Sequence, residues 1–592
     1  MLLDDRFYPL EPEQNGYYSG LVPAAGAGSL YKYRLDDGES YPDPASRFQP
    51  DGPHGFSKVV DPDSFRWSDA SWRGATIRGQ IIYEMHVGTF TPEGTWEAAI
   101  RELPALAAIG ITVVEPMPVS EFPGKFGWGY DGVHPFAPTR LYGSPDDFRR
   151  FVDEAHRLGL AVILDVVYNH LGPDGNYFGH FSPYYFTKKH RTDWGQAINY
   201  YDEHSEPVRE FVIANAGYWI REFHLDGLRL DATQDIHDGS RDHIVAALTR
   251  QVRKEANGRA TIVVAENELQ EVGLMRPEEQ GGYGIDALWN DDFHHSAMVR
   301  MTGHCRAYYT DYGGKAQEFV SSAKYGFLFQ GQWYKWQKKR RGTPTFGLPP
   351  SGFVTFTQNH DQIANSARGE RAHWLTSPGI YRGMTALVLL GPGTPMLFQG
   401  QEFASSAPFL FFADHKPELA VLVKEGRREF LAQFRNLANP SMWAGFAPPE
   451  DRSTFERCKI DHSERERHAE EYALHRDLIR LRRSEKAFQR QEYGAVDGAV
   501  IGEDAFVLRY FVTDGDDRLL VVNFGSDLHL NPSPEPLLAP PEGKGWRVLW
   551  SSEDPRYGGD GILELDGIDN WHIPGQAAVV LKGSEIESNV AK

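Results

Sequence analysis

Between residues 79 and 290 the chain alternates short apolar runs with longer segments whose apolar residues recur every three or four positions. Short apolar runs are typical of buried β-strands, and the longer spacing is typical of amphipathic helices. Alternating strands and helices predict a parallel sheet, and strands that are apolar along their whole length are buried on both faces. So many units in succession favour a closed (β/α)8 TIM barrel over an open sheet.

The pattern predicts eight barrel strands, the last two of which follow residue 350. They are IIYEMHVGTF, ITVVEPMPV, LAVILDVVYNH, GLRLDAT, ATIVVAENE, GIDALWN, GFVTFTQNH and TPMLFQGQ. Predicted helices include TWEAAIRELPALAAIG, SPDDFRRFVDEAHRLG, VREFVIANAGYWIREFH, IVAALTRQVRKEA and, as the final barrel helix, YALHRDLIRLRR. Ser144 begins one of them as a plausible N-terminal cap.

The segments on either side of the barrel have a different composition and shorter apolar runs. Residues 1–75 are rich in Gly, Pro, Asp and Tyr, with short extended pieces such as SLYKYRL, and they predict a small β-sandwich-like module. Residues 76–486 are predicted to form the barrel with loop insertions. Residues 487–592 contain short strands such as AFVLRYFV, RLLVVNF and AAVVLK, which predict a C-terminal antiparallel β-sandwich.

Composition narrows the possible partners and compartment. The net charge is −21, from 82 acidic and 61 basic side chains, which argues against a nucleic-acid partner. Cys305 and Cys458 are the only two cysteines and form no disulfide framework, as expected in a reducing cytosol. The N-terminus lacks a signal-peptide pattern, and the longest uncharged stretch is broken by Pro392 and Pro395. We expect a cytoplasmic monomer without membrane contact.

The ends of the predicted strands carry the candidate chemistry. Barrel enzymes place their active sites at the carboxyl ends of the strands, so these side chains should meet at one mouth. Carboxylates around a small cleft suit glycoside hydrolysis, in which a nucleophile and an acid about 5 Å apart flank an oxocarbenium-like centre. The residues at these ends are Asp165, Asn169, His170, Arg229, Asp231, Glu266, Asn359, His360 and Asp361.

The position of each carboxylate along its strand suggests its role in the reaction. Arg229 precedes Asp231 by two residues, so both lie on one face of a strand and the positive charge should orient Asp231 as a nucleophile. Glu266 follows the apolar run TIVVA, a setting that can raise a carboxyl pKa for acid work. Asp361 and His360 would bind sugar hydroxyls. No metal and no other cofactor is required.

Each residue alone also has an ordinary structural interpretation. A single Asp at a strand end is usually a cap or a loop acceptor, Arg229 with Asp231 could be a buried ion pair, and His170 could be a core histidine. Asp165 lies within an apolar strand and is better interpreted as structural than as catalytic. The convergence of all these residues on one mouth favours the catalytic hypothesis.

The segments DVVYNH, GLRLDAT, VVAENE and TQNHDQ resemble, in order, the four motifs of the α-amylase family of glycoside hydrolases, family 13. The resemblance implies that Asp231 is the nucleophile, Glu266 the general acid/base and Asp361 the transition-state stabiliser. It also implies that Arg229, His170 and His360 line the subsite of the sugar that is cleaved. Tyr130, in GWGYDG, resembles the tyrosine that stacks on that sugar.

Within the family, the chain most resembles the branch that hydrolyses the α-1,4 bond next to the terminal trehalose of maltooligosyl trehalose. The segments that carry this are YEMHVGTFTPEGTW, GWGYDGVHPFAP, LGPDGNYF, WNDDFHH, QNHDQIANSARGER and LFQGQEFASSAPFLFF. Glycogen branching enzymes share the start of the barrel, but their last motif reads close to SHDE. The alternatives are therefore a branching glucanotransferase and, outside enzymes, a catalytically dead glucan-binding protein, although all three carboxylates are present.

Three further expectations follow from the resemblance. Relatives carry a complete β-sandwich before the barrel, so we expect the N-terminal domain to be shortened, with its first strands missing. Asn169 matches a calcium-binding residue of many amylases, but the other ligands are not recognisable and no metal is assigned. Asp291, Asp292, His294 and His295 are candidates for trehalose recognition, although a solvated or packed loop is the favoured interpretation.

Overall fold

The computed structural model describes residues 1–36, 38–192, 194–366, 368–434, 446–512, 515–530, 532–563 and 571–585. Eight parallel strands form a closed barrel in which each strand pairs with its neighbours in the chain and the last pairs with the first. The strands are β1 Ile82–Met85, β2 Val113–Pro116, β3 Ala161–Val166, β4 Gly227–Leu230, β5 Ile262–Ala265, β6 Ala287–Trp289, β7 Phe353–Thr355 and β8 Thr394–Phe398. The predicted barrel is confirmed.

Helices surround this barrel, and the predicted ones are present. The longer helices are α1 Trp96–Ile109, α2 Pro145–Arg157, α3 Glu206–Glu222, α4 Ile244–Glu255, α5 Asp291–Thr302, α6 Ala316–Tyr325, α7 Pro378–Leu390, α8 Pro417–Ala432 and α9 Ala469–Ser484. One-turn helices span Val87–Phe90, Phe178–Phe181, His360–Ala364, Arg452–Glu456, Glu464–Arg467 and Lys486–Gln489. None of the helices in the described ranges is long and apolar enough to cross a membrane.

The alternation of strand and α-helix is interrupted between β5 and β6. The described chain there forms only the 3-10 turns Val272–Met275 and Glu278–Gln280. Pro277 and the pair Gly281–Gly282 lie in this segment, and both residue types disfavour a continuous helix. Elsewhere local signals act as expected: Ser144 and Asp147 exchange side-chain and backbone hydrogen bonds in a capping box at the start of α2.

The strand period of two divides the barrel interior into two levels. Ile82, Val113 and Ile163 point inward low in the barrel and belong to a buried apolar cluster. Trp72, Ala75 and Ile77, from the segment before β1, pack against this cluster. The next inward positions on β1 to β4 are polar: Glu84, Glu115, Asp165 and Arg229. These polar side chains therefore lie above the apolar cluster, towards the carboxyl ends of the strands.

Antiparallel sheets precede and follow the barrel. The first sheet contains Leu2–Leu3, Arg6–Phe7, Leu30–Arg34, Ser40–Tyr41 and Ser57–Lys58. The last contains Val496–Gly502, Ala505–Tyr510, Arg518–Asn523, Ala577–Glu585 and Lys544–Ser551, beside the pair Leu528–Leu530 and Trp571–Ile573. The predicted β-rich C-terminal region is confirmed. The boundaries at 75/76 and 486/487 stay a prediction.

A buried ionic cluster fastens the segment before β1 to the barrel. Nδ1 of His156, on α2, lies 2.9 Å from Asp69 Oδ2, and its Nε2 lies 2.9 Å from Asp226 Oδ2. His224 also contacts Asp69, at 2.8 Å, and Trp72 donates from Nε1 to Asp226 Oδ1 at 2.7 Å. One imidazole therefore joins this segment to the loop that enters β4.

The charges of this cluster make its stability dependent on pH. Burial alone would lower the pKa of His156, but hydrogen bonds to Asp226 and Asp69 outweigh burial and raise the pKa. This contribution is complete below the ordinary histidine pKa of about 6.5 and is lost as pH rises through the higher pKa of the folded state. Burial would raise the pKa of Asp69, but hydrogen bonds from His156 and His224 lower it. The carboxyl contribution is lost only in strong acid.

We predict that His156→Ala lowers the unfolding free energy near pH 6 by about 3–5 kcal/mol, because it removes the cation that two buried carboxylates share. The difference from wild type should narrow as pH rises through the folded-state pKa of His156. Differential scanning calorimetry between pH 5.5 and 9.5 measures this, with exposed His304→Ala as the control. If the unfolding free energy of His156→Ala were lower than that of wild type by the same amount at every pH, the substitution would have removed only packing contacts.

Candidate active site

Arg229 occupies the centre of the site and contacts three carboxylates. Its Nη1 donates to Asp165 at 2.9 Å and to Asp231 Oδ1 at 2.8 Å, and its Nη2 donates to Glu266 Oε2 at 2.8 Å. The side chain is wholly buried and stacks 4.0 Å from the ring of Trp289. One guanidinium therefore holds both Asp231 and Glu266, and these two carboxylates lie close together.

Asp231 follows β4 directly and is positioned by the neighbouring strand. Its backbone N–H donates to the carbonyl of Val166 at 3.1 Å. The amide of Asn169 donates to Asp231 Oδ2 at 2.8 Å and to the Asp231 carbonyl at 3.0 Å. Both oxygens of the carboxylate are therefore held, while 13% of the side chain remains exposed at the mouth. Asn169 matches a calcium-binding residue of amylases in sequence, but here its side-chain amide donates to Asp231.

Glu266 follows β5 and has a different environment from Asp231. Its Oε2 accepts from Arg229 and also from the backbone N–H of Ala232, at 3.1 Å. Ala232 has a left-handed backbone, with φ of 39°, which is uncommon for a residue with a Cβ. Burial raises the pKa of Glu266 to about 8, with Arg229 opposing and Asp231 and Asp361 adding to the rise. A raised pKa at Glu266 is what a general acid requires.

A hydrogen-bond chain joins the opposite wall of the site. The hydroxyl of Tyr130 donates to Asp165 Oδ2 at 2.6 Å and lies 2.9 Å from Nε2 of His360. The rings of Tyr130 and His360 stack with centroids 5.2 Å apart. Nδ1 of His360 contacts Glu84 Oε1, and the backbone N–H of His360 donates to Glu84 Oε2 at 3.1 Å. Asp165 therefore links this wall to Arg229, which fits its predicted structural role.

Asp361 lies in the first turn of the short helix His360–Ala364. Asn359 caps this helix through its side chain, which accepts from the backbone N–H of Gln362 at 2.9 Å. The Asp361 carboxylate lies 3.5 Å from Nε2 of His360, and 42% of its side chain is exposed. Because His360 also contacts Tyr130, Asp361 lies at the same cleft. An exposed carboxylate at this point is available to sugar hydroxyls.

His170 forms a third side of the cleft. Its Nε2 lies 2.8 Å from the backbone carbonyl of Tyr130, and its Nδ1 contacts the side chain of Asn169. Its ring stacks on Trp194 at 4.9 Å with the planes 2° apart. Trp194 is half-buried in the turn between the strands Phe186–Thr192 and Gly195–Ile198. All seven predicted site residues therefore converge on this cleft.

The segment WNDDFHH begins α5 and is packed rather than solvated. Asp292 is buried and accepts from the Tyr312 hydroxyl at 2.6 Å and from two backbone N–H groups in residues 328–329. His294 and His295 are also buried. Asp291 is partly exposed and lies 3.6 Å from Arg341. Of these four candidates for trehalose recognition, only Asp291 retains surface towards solvent.

Sequence reasoning missed two buried carboxyls inside the barrel and one aromatic ring at its mouth. Glu84 and Glu115 lie inside the predicted strands IIYEMHVGTF and ITVVEPMPV, where a single carboxyl within an apolar run was a usable signal. Trp194 lies in a loop without periodicity and offered no signal before its stacking on His170 was known.

Comparison with known proteins places this site in a family. Residues 59–197 match the family described as alpha amylase, catalytic domain, and residues 494–580 match a domain of unknown function, DUF3459. A malto-oligosyltrehalose trehalohydrolase of Deinococcus radiodurans is 41% identical over 521 residues, covering 86% of this chain and 83% of the relative. The enzyme of that name from Saccharolobus solfataricus is 43% identical over 72% of this chain and 75% of its own.

More distant matches agree on the architecture. A crystal structure of a Salmonella typhimurium protein described as an alpha amylase superposes with a TM-score of 0.87, at 34% identity over 98% of this chain and 95% of that one. A 1,4-alpha-glucan branching enzyme of Kitasatospora aureofaciens is 25% identical over 96% of this chain and 70% of the relative. The barrel and its ring of carboxylates define a glycoside hydrolase of the α-amylase type. The chain belongs to the malto-oligosyltrehalose trehalohydrolase family.

We predict that Arg229→Lys lowers kcat by about 10- to 100-fold, since a hydrogen bond between charged groups contributes roughly 1.5–3 kcal/mol. Lysine keeps the charge but lacks the planar fork that holds two carboxylates at once. Steady-state hydrolysis rates measure the effect. The control is Arg482→Lys, because buried Arg482 donates only to backbone carbonyls at residues 389, 391 and 393 in the described structure. Equal losses in both variants would refute a special role for Arg229.

Proposed function

We propose that this chain hydrolyses the α-1,4-glucosidic bond next to the terminal trehalose of maltooligosyl trehalose and releases trehalose and a maltooligosaccharide. The observation that carries the proposal is the contact of one guanidinium with both Asp231 and Glu266, in a chain whose relatives at about 40% identity bear the name of that activity. The same names make maltooligosyl trehalose and related α-glucans the substrate class.

The geometry supports a mechanism that retains the anomeric configuration. Glu266, whose raised pKa favours the protonated form, donates its proton to the glycosidic oxygen while the Asp231 carboxylate attacks the anomeric carbon. Trehalose leaves with that proton, and a glycosyl-Asp231 ester remains. Glu266, now ionised, removes a proton from water, and the water oxygen displaces Asp231 to release the maltooligosaccharide.

The remaining site residues bind and orient the sugar in this proposal. Tyr130 presents its stacked ring to the glucose that is cleaved, and Asp361, with its exposed carboxylate, accepts hydrogen bonds from ring hydroxyls. His170 and His360 border the same position, and Arg229 orients both reacting carboxyls. Hydrogen bonds that shorten as the ring flattens would stabilise the transition state more than the substrate.

We also propose that the protein acts as a cytoplasmic monomer, without a nucleic-acid or membrane partner. Cys305 and Cys458 are free thiols, which suits a reducing compartment. The net charge of −21 opposes binding to phosphate backbones or anionic lipid surfaces.

Incubation with maltotriosyl trehalose is expected to yield free trehalose and maltotriose, separated by anion-exchange chromatography. Amylose serves as the comparison substrate, because a branching glucanotransferase would change its iodine staining and release little free sugar. Unchanged maltotriosyl trehalose, with altered amylose staining, would favour the branching activity. No change in either substrate would favour a glucan-binding protein without catalysis.

Asp231→Asn and Glu266→Gln should each lower kcat by at least about 10³-fold, roughly 4 kcal/mol of barrier. Because Glu266 must be protonated to act as the acid, wild-type activity should fall as pH rises through about 8. A pH–rate profile measures this fall in activity. The residual activity of Glu266→Gln should not show it. Wild-type rates in either variant would contradict the assigned roles.

A further inference from the structure

We propose that Glu84 is a positioning residue for the reaction: it keeps His360 doubly protonated and fixes the start of the helix that carries Asp361. The inference rests on the proposed function only for its activity readout. Glu84 lies on β1, inside the barrel, and 1% of its surface is exposed. It touches no sugar position itself and acts through His360.

The hydrogen bonds around His360 require a proton on each ring nitrogen. The single hydroxyl proton of Tyr130 is directed to Asp165 Oδ2, at 2.6 Å, so the Tyr130 oxygen accepts from Nε2–H of His360 at 2.9 Å. Nδ1 faces a carboxylate oxygen of Glu84, which accepts a second N–H. With both nitrogens donating, the ring is an imidazolium.

Glu84 also fixes the backbone at this point. Its second oxygen accepts from the backbone N–H of His360 at 3.1 Å, so one carboxylate holds the side chain and the main chain of the same residue. Asp361 follows directly, and its carboxylate lies 3.5 Å from Nε2 of His360. Loss of the Glu84 charge would therefore disturb both the charge beside Asp361 and the start of its helix.

The charged groups near His360 have opposing effects on its pKa. Burial alone would lower the pKa of His360, but the charges of Asp361 and Glu84 raise it to about 9, with Arg229 opposing. The titratable or charged groups that face or influence the imidazole are Glu84, His86, Glu115, Tyr130, Asp165, Arg229 and Asp361.

The neighbouring strand supplies a matched control. Glu115 on β2 is the register partner of Glu84, on strands about 4.8 Å apart, and is equally buried. Neither of its carboxyl oxygens has a hydrogen-bond partner among the described residues. Burial and the charge of Glu84 raise the pKa of Glu115 well above its usual range. Because Glu115 forms no side-chain hydrogen bond to the described residues, glutamine should replace it without consequence for the reaction.

The experiment compares Glu84→Gln with Glu115→Gln on maltotriosyl trehalose. In Glu84→Gln, kcat near pH 7.5 should fall by about tenfold for each unit by which the pKa of His360 drops below that pH. The rate should recover on acidification, because the required imidazolium re-forms. In Glu115→Gln, kcat and its pH profile should match wild type. Equal effects of the two substitutions, or a pH profile unmoved in Glu84→Gln, would overturn the inference.

A readout without substrate separates this inference from the proposed function. In protein labelled with ¹³C-histidine, the His360 resonance is identified by its absence from His360→Asn and is titrated directly. Its midpoint should lie near 9 in wild type and in Glu115→Gln, and below about 6.5, the ordinary histidine value, in Glu84→Gln. If Glu84→Gln does not fold, the wild-type titration decides, and a midpoint at or below 6.5 refutes the role of Glu84.

Discussion

The site depends on one buried cation. Arg229 is wholly enclosed in the barrel, and a guanidinium in that position requires carboxylates from several strands to offset its desolvation. Asp165, Asp231 and Glu266 meet it from three consecutive strands, at 2.8–2.9 Å. The parallel arrangement makes this possible, because it brings the ends of β3, β4 and β5 to the same level. Removing the charge would leave three carboxyls crowded together without compensation.

Apolar and ionisable side chains occupy different levels of the barrel interior, so the residues that stabilise the barrel lie below those that form the active site. Apolar side chains such as Ile82 and Val113 fill the lower interior, with Trp72 packed beneath them. Ionisable side chains occupy the next inward positions on β1 to β4. The period of two along each strand places the two levels one above the other. Ionic groups are thereby held against a rigid apolar floor, which limits how far they can relax towards water.

Identical side chains acquire different contacts from their places in the barrel. Glu84 faces the ring and backbone of His360, whereas Glu115, on the adjacent strand and at the same level, faces no hydrogen-bond partner among the described residues. Burial raises the pKa of Glu266 to about 8, although Arg229 opposes it. Environments that separate the proton affinities of like groups are what a two-step glycosidase mechanism needs.

Local sequence patterns were enough to predict the barrel and the location of its chemistry. Apolar runs of strand length marked all eight strands, and Asp231, Glu266 and Asp361 stand where those runs end. Local periodicity carries that information, because a strand buried on both faces must be apolar until it leaves the sheet. Local residue types also explain the absence of an α-helix between β5 and β6, where proline and glycines interrupt the chain.

Which polar groups act together depends on the assembled barrel. Glu84 and His360 are 276 residues apart, and they meet because β8 pairs with β1 and brings the end of β7 near the first strand. Glu84 and Glu115 look alike in sequence, each a single carboxyl in an apolar strand. Their difference arises from barrel closure and strand register, which are properties of the assembled sheet and not of any local pattern.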